Sequence, residues 1–374
     1  MDALAAINPV VLTIGQIVGF LLLLSFMVFC HELGHFLMAK RAGVRVEEFG
    51  IGFPPRVWAT RRGETEYSIN ALPLGGFCRM TGENGEGEES DPRSFPNASK
   101  PWRFAILLAG PAMNVILAVV IFAAAYAAGW PTVTKSEVEV QSVVAGLPAD
   151  AAGLRPSDVI VSFAGQPVEK VTDLRRVGEE NRGREVLMTI RRDGSTAEVK
   201  IRPRESWPAG EGPLGVSIGE RPLKVEPIAY PIGEAIVRGA ERTAIIAVAT
   251  FYLPIEAMRG TVPLEVIRPS GPVGIYQITS QAAVESIENG WWFPILSVAG
   301  LLSVGLGVAN LLPIPALDGG RLVFLAVEAI RRRRLNPQTE GMINVIGFTV
   351  LISLVILITF FDISSPVSID WASP

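Results

Sequence analysis

Histidine and cysteine are scarce in this sequence, with two of each among 374 residues. Cys30 and Cys78 are too few for a disulfide framework. Cys30 ends an apolar run, where a small buried thiol is the expected reading. Charge is scarce too: charged residues make up 19% of the chain, hydrophobic residues 49%, and the net charge is −4. No global basic field exists, which argues against a nucleic-acid partner. No repeat recurs along the chain. The apolar residues lie in long blocks, so the two or three soluble domains that this length would allow do not fit.

Four blocks are long enough to cross a bilayer as helices: residues 10–30, 104–129, 293–317 and 342–361. The first could also be read as a secretory signal. Only Asp2 precedes it as a charge, however, and a basic leader is missing, so a retained membrane helix is expected. Residues 243–253 are apolar but short. Glu234, Arg238, Glu241 and Arg242 precede them and Pro254 ends them, which predicts an interfacial or packed amphipathic helix. Lys40, Arg41, Arg45, Arg56, Arg61 and Arg62 follow the first block, and Arg331 to Arg334 follow the third. The tail after Phe361 carries only acidic charges. By the positive-inside rule both basic segments are cytoplasmic and both termini lie outside. The four-arginine run reads as a headgroup anchor.

Between the second and third blocks, residues 136–221 read as a soluble β-rich module. Strand-like runs at 138–144, 158–163, 185–190 and 197–201 are separated by turn signals such as Ala164-Gly165-Gln166-Pro167 and Asp193-Gly194. The division that follows is a membrane region at 1–130, the module at 136–221, a connecting segment at 222–292 and a second membrane region at 293–374.

Both histidines fall in His31-Glu32-Leu33-Gly34-His35, an H-E-x-x-H pattern. On a helix, residues four apart share a face, so both imidazoles can reach one Zn²⁺. Glu32 is then placed as a general base toward a water whose pKa zinc lowers to about 7. A plain helix end anchored by Lys40 is the bland alternative. Ionisable groups inside a span cost at least ~2.5 kcal/mol each, which disfavours an incidental cluster. With ~1.5 Å rise per residue, the pair lies about 8–14 Å before Lys40, inside the membrane near its cytoplasmic face. A catalytic zinc keeps three protein ligands and an open position. No third histidine exists, so a carboxylate is required. Asp318, in Asn310-Leu-Leu-Pro-Ile-Pro-Ala-Leu-Asp-Gly-Gly320, is the candidate at a span end. Pro313 and Pro315 break the helix there, and Gly319 and Gly320 allow close backbone approach. The competing role for Asp318 is an N-cap before a helix at Leu322.

The two motifs together resemble the site-2 protease family of intramembrane zinc proteases, most closely its bacterial regulator-of-sigma-E branch. Gly271-Pro-Val-Gly-Ile275 before the third block extends the likeness. The resemblance implies a polytopic α-helical membrane protein of four transmembrane helices, with zinc as cofactor and Asn310 helping to position substrate. It also implies single-pass membrane proteins as substrates, such as pre-trimmed anti-sigma factors, or signal-peptide remnants. Ala149-Asp-Ala-Ala-Gly-Leu154 and the residues after it resemble a PDZ domain. Leu214, Gly215 and Val216 would form its loop for a peptide C-terminus, or the module would only exclude large substrates. The family's best-studied branch carries two such modules, and this chain shows one.

A transmembrane helix hides its carbonyls, so a substrate must unwind and find new backbone partners. Residues 46–53 and 66–77 are strand-like. They predict a membrane-associated β-hairpin whose edge, near Gly75 and Gly76, accepts the substrate as an added strand; an ordinary cytoplasmic sheet is the alternative. Residues 83–89 read as a solvated acidic loop. From another functional class, the chain would be a PDZ membrane scaffold with a structural metal. Glu32 speaks against this, since a structural site needs no acid between its ligands.

Overall fold

The computed structural model describes residues 8–83, 91–208, 211–262, 269–333, 336–366, 369 and 371, and they form two compact units. The first unit combines the chain up to Trp130 with the chain from Ala229 onward; the second is Pro131–Ile228. The proposed acidic loop and Arg334 fall largely outside the described residues.

The first unit opens with α1 (Pro9–Arg41), 33 residues long. Asn8 starts it by accepting the Val10 N–H at 2.9 Å, and Lys40 and Arg41 close it where cations suit the negative end of the helix dipole. Next come β1 (Val46–Arg62) and β2 (Thr65–Met80), an antiparallel pair. Each strand bends and is used twice. Phe49 pairs with both Cys78 and Tyr67, while Ser68 pairs with both Gly50 and Ala59. Residues 76–80 therefore form one edge, and no described strand pairs with their outer side. Glu64, at the hairpin turn, takes hydrogen bonds from Lys40 and Arg93, which hold its carboxyl down at about 2. That fastens the hairpin to the end of α1. Helix α2 (Lys100–Gly129) follows.

The second unit contains β3 (Trp130–Val143, its first residue counted with the other unit), α3 (Pro148–Ala151), β4 (Val159–Phe163), β5 (Gln166–Pro167), α4 (Val171–Glu180), β6 (Val186–Arg192), β7 (Ser195–Ile201) and β8 (Val216–Ile228). Its sheet runs in the order β7-β6-β4-β3-β8, with β5 paired to β4. The four strand-like runs of the sequence fall on β3, β4, β6 and β7, three of them overrunning the strand by one residue, at Val144, Asp158 and Glu185. Val140, Ile160, Phe163, Val177, Met188 and Ile190 are buried in one core between the sheet and its helices.

The chain then returns to the first unit through α5 (Ile232–Met258), α6 (Pro272–Asn289), α7 (Phe293–Leu311), α8 (Asp318–Arg331) and α9 (Pro337–Ser364). Four helices are long and apolar enough to cross a membrane among the described residues: α1, α2, α7 and residues 338–364 of α9. Helix α5 is not among them, although at 27 residues it far exceeds the short stretch expected from its apolar core. The third apolar block does not stay helical to 317; α7 stops at Leu311 before the two prolines.

Small residues let the helices approach α2, as expected where lipid supplies no hydrophobic drive and packing must. A Cβ on Gly34 of α1 would sit 2.2 Å from the Ala109 carbonyl oxygen, and one on Gly239 of α5 would sit 2.7 Å from the Ala123 nitrogen. Gly300 and Gly307 of α7 meet Phe122 and Pro111 in the same way.

Candidate metal centre

Helix α1 carries His31 and His35 one turn apart on the face turned to α2, and both rings are buried. The chain reverses after α7, and α8 begins at Asp318 itself, with Leu317 at the N-cap position. The capping role considered for Asp318 is thus not the one adopted. The reversal needs glycine: a Cβ on Gly319 would sit 2.1 Å from the Leu312 carbonyl oxygen, and one on Gly320 would sit 2.4 Å from that of Ile314. A part-buried ion pair between Arg103 of α2 and Glu328 of α8, at 2.8 Å, helps fix α8 beside α2.

These elements bring three donor atoms together across 287 residues of sequence. Asp318 Oδ2 lies 3.0 Å from His31 Nε2 and 3.3 Å from His35 Nε2, and the two nitrogens are 3.1 Å apart. Zinc bonds of about 2.0–2.1 Å at tetrahedral angles would separate donors by about 3.3–3.4 Å. The triangle is therefore close to zinc size and leaves a fourth position open.

The ring protons fit ligation as well. His35 Nδ1 lies 2.8 Å from the Ile106 carbonyl oxygen, which can only accept. Nδ1 must carry the proton, so Nε2 has a free lone pair. His31 Nδ1 faces the amide of Asn114, 3.2 Å from Nδ2, while Asn114 Oδ1 is buried without a partner among the described residues. Turning that amide about its axis puts the oxygen against the ring. His31 Nδ1–H then donates to it, the orphaned oxygen is satisfied, and His31 Nε2 is also free to ligate. These residues fit a zinc ion.

A cavity of about 200 Å³ opens at the centre, lined by His31, Glu32, His35, Asn310, Asp318 and Arg321, among others. Asn310 lies at this wall, its Nδ2 donating to the Leu306 carbonyl oxygen at 2.9 Å. Arg321 forms an ion pair with Glu83 there. Strand β2 runs beside α1 toward the same place. The Pro73 carbonyl accepts from Ser25 at 2.5 Å, and a Cβ on Gly76 would lie 3.7 Å from Glu32 Cγ. A Cβ there would also lie 2.9 Å from the Gly50 carbonyl oxygen, and Gly75 has φ +144° beside Phe53. Cys78 and Met80, on the free edge segment, line the cavity.

Leu214, Gly215 and Val216 lie elsewhere, in the second unit. They border a separate cavity of about 450 Å³ beside Leu147 and α4 residues Val171, Leu174 and Arg175. Gly215 has φ +71°, and a Cβ would strike Leu147 at 2.4 Å.

Asn114, the Ile106 carbonyl and Gly110 join the site through tertiary structure alone. A Cβ on Gly110 would lie 2.3 Å from His35 Nε2 and 2.8 Å from His31 Nε2. A carboxamide inside an apolar span was the available signal for Asn114. Nothing in the sequence marked the other two.

The model of peptidase family M50 matches residues 19–354. The regulator of sigma-W protease RasP of Bacillus subtilis is 30% identical over 430 aligned positions, covering 94% of this chain and 98% of that protein. The zinc metalloprotease RasP of Geobacillus kaustophilus is 29% identical with the same coverage of both chains. With a zinc-sized donor set among helices able to span a membrane, and a family match across most of its length, this chain belongs to peptidase family M50, the site-2 protease family, as a membrane zinc metalloprotease.

Proposed function

We propose that this protease cuts single-pass membrane proteins within their transmembrane segment, with His31, His35 and Asp318 holding zinc and Glu32 as the general base. The observation that carries this reading is the 3.0–3.3 Å donor triangle buried between α1, α2 and the start of α8. Zinc bound there would polarise a substrate carbonyl and acidify water. Glu32 takes a proton from the attacking water and returns it to the departing amide nitrogen. Asn114 and the Ile106 carbonyl hold the imidazoles in one tautomer and orientation.

The edge at residues 76–80 receives the unwound substrate as an added strand, which re-pairs the backbone groups that unwinding exposes. Its placement beside Glu32 supports this, as does the lack of a described strand on its outer side. Asn310 at the cavity wall orients the substrate backbone. The second unit acts as a PDZ-type module. Its groove beside Leu214, Gly215 and Val216 receives a peptide C-terminus, and the apolar lining from Leu147, Val171 and Leu174 suits a terminal aliphatic side chain. The centre lies near the cytoplasmic face, with both termini and the module on the opposite side. The substrates are membrane-bound regulators of transcription, in line with the name of the Bacillus subtilis relative.

The test is to purify wild type and Glu32→Gln in detergent, measure bound zinc and incubate each with a single-span model substrate. Cleavage by wild type alone, with about one zinc per chain in both, supports the assignment. Equal cleavage by both refutes Glu32 as the base, and an absence of both metal and cleavage refutes the protease reading and makes a PDZ scaffold the better account. Signal-peptide remnants cleaved in preference to a regulator-like span would instead mark a scavenging protease.

A further inference from the structure

A groove of about 530 Å³ lies between the first half of α1 and α6, far from the metal centre along the same helix. Its α1 wall runs from Val11 to Leu23 and its α6 wall from Thr279 to Ile287. Phe20 meets Tyr276 edge-to-face at 5.7 Å and joins the two walls. Most of the lining is apolar, as lipid contact alone would allow. Two features go beyond that.

Gly15 and Gly19, one turn apart, line the groove, and a Cβ on either would meet nothing within 4 Å. That leaves an open strip of backbone against which a second helix can pack closely. Independently, Thr279 and Ser280 line the groove while only 4% and 8% exposed, and neither hydroxyl has a hydrogen-bond partner among the described residues. Buried hydroxyls are normally paired. A lipid acyl chain offers no acceptor and gains nothing from bare glycine. A helix with its own small residues and carbonyls suits both features.

We propose that this groove is a docking site for the still-helical part of the substrate's transmembrane segment, a deepening that rests on the intramembrane protease reading above. Thirteen residues of α1, spanning about 18 Å, form its wall, and Leu23 stands about 12 Å before His31 along the axis. A span of about 20 residues with thirteen seated along that wall keeps about seven to reach the metal. Extended at about 3.3 Å per residue, four of those cover the distance. The groove thus holds one end of the span as a helix while the other end unwinds at the edge of β2.

The test uses the full chain in phosphatidylethanolamine–phosphatidylglycerol vesicles with a single-span model substrate. Thr279→Val with Ser280→Ala, nearly isosteric, removes both hydroxyls; Gly15→Leu with Gly19→Leu fills the strip. The hydroxyl pair should raise KM about five- to ten-fold with kcat within about two-fold, the sum expected of two interhelical hydrogen bonds in a membrane. The leucine pair should raise KM further. As a second readout, Leu12→Cys in the Glu32→Gln protein should form a disulfide with a cysteine in the far half of the substrate span, above the background set by Cys30 and Cys78. Unchanged KM in both variants and no substrate adduct would overturn the proposal. So would loss of co-purified phospholipid with KM unchanged, which marks a lipid site, or adducts only between copies of α1, which mark a self-association surface. A wild type that cleaves nothing defeats the protease reading, while the cross-link still reports on the groove without turnover.

Discussion

Replacing Gly110 by alanine would set a methyl group against the two nitrogens that form the donor triangle. The new Cβ would fall 2.3 Å from His35 Nε2 and 2.8 Å from His31 Nε2, where ordinary contact begins at 3.4 Å. The His35 ring must retreat by about 1 Å, whereas zinc distances tolerate only about 0.2 Å. Overpacking costs about 1–3 kcal/mol, and the better helix propensity of alanine recovers up to about 1 kcal/mol. The net loss in stability is thus about 0–2 kcal/mol, which a folded membrane domain survives. Zinc affinity should fall at least about ten-fold, because the donors no longer meet at bonding distance. Equilibrium dialysis against a buffered zinc series, with zinc per chain read by mass spectrometry, measures this, and a thermal melt shows that the protein is folded. Gly305→Ala, on α7 with nothing within 4 Å of the added methyl, is the control and should behave as wild type. If Gly110→Ala binds zinc and cleaves substrate as wild type does, the histidines are not positioned as argued.

Asn114→Leu should keep the fold and lower zinc affinity about 10–100-fold, since the ring loses the partner that orients it; the same dialysis reads it. In the second unit, Asp158 is 1% exposed and accepts from Arg192 at 2.6 and 2.7 Å and from the Arg155 N–H at 2.8 Å. Burial alone would raise its carboxyl, but these donors outweigh it and hold it below the ordinary 3.8. With the folded value depressed, the stabilisation is complete above 3.8 and is lost as pH falls through and below that value. Asp158→Asn should cost roughly 2 kcal/mol at neutral pH and flatten this acid dependence, seen as urea midpoints of residues 131–228 by hydrogen exchange. Asp362 of α9 accepts the Gly274 N–H at 2.8 Å and so holds the start of α6. Asp362→Ala should loosen that helix by about 1 kcal/mol and speed amide exchange in its first turn. Pro at Gly75 and Gly76 should abolish cleavage of a single-span substrate if the β2 edge pairs with it; unchanged cleavage would count against the added strand.

Local chemistry made much of this legible. The apolar blocks have no stable home in water, so the spanning helices could be read at once, and α1, α2, α7 and α9 lie where those blocks are. The i, i+4 spacing of His31 and His35 already forces their rings to one helix face. The prolines after α7 end it because they supply no N–H. Helix α5 extends beyond the apolar residues 243–253 because its flanking charged turns stay helical by packing one face on α2, a property of the partner surface.

Several features depend on distance rather than on pattern. Asp318 meets the histidines only because Gly319 and Gly320 let the chain fold back over the start of α8. Asn114 serves His31, the Ile106 carbonyl fixes the tautomer of His35, and Gly110 leaves room for both rings, all from α2. The double use of β1 and β2, which makes residues 76–80 an edge beside Glu32, is a matter of register that alternation along a strand does not reveal. The sequence by itself determined the chemistry available, a pair of histidines, an acid and a second carboxylate among apolar helices, because residue type and spacing fix charge, donors and helix face. Only the tertiary structure decided which atoms lie within 3.3 Å of one another, because that depends on how closely α1 and α8 approach α2, and glycine at the contact points sets those distances.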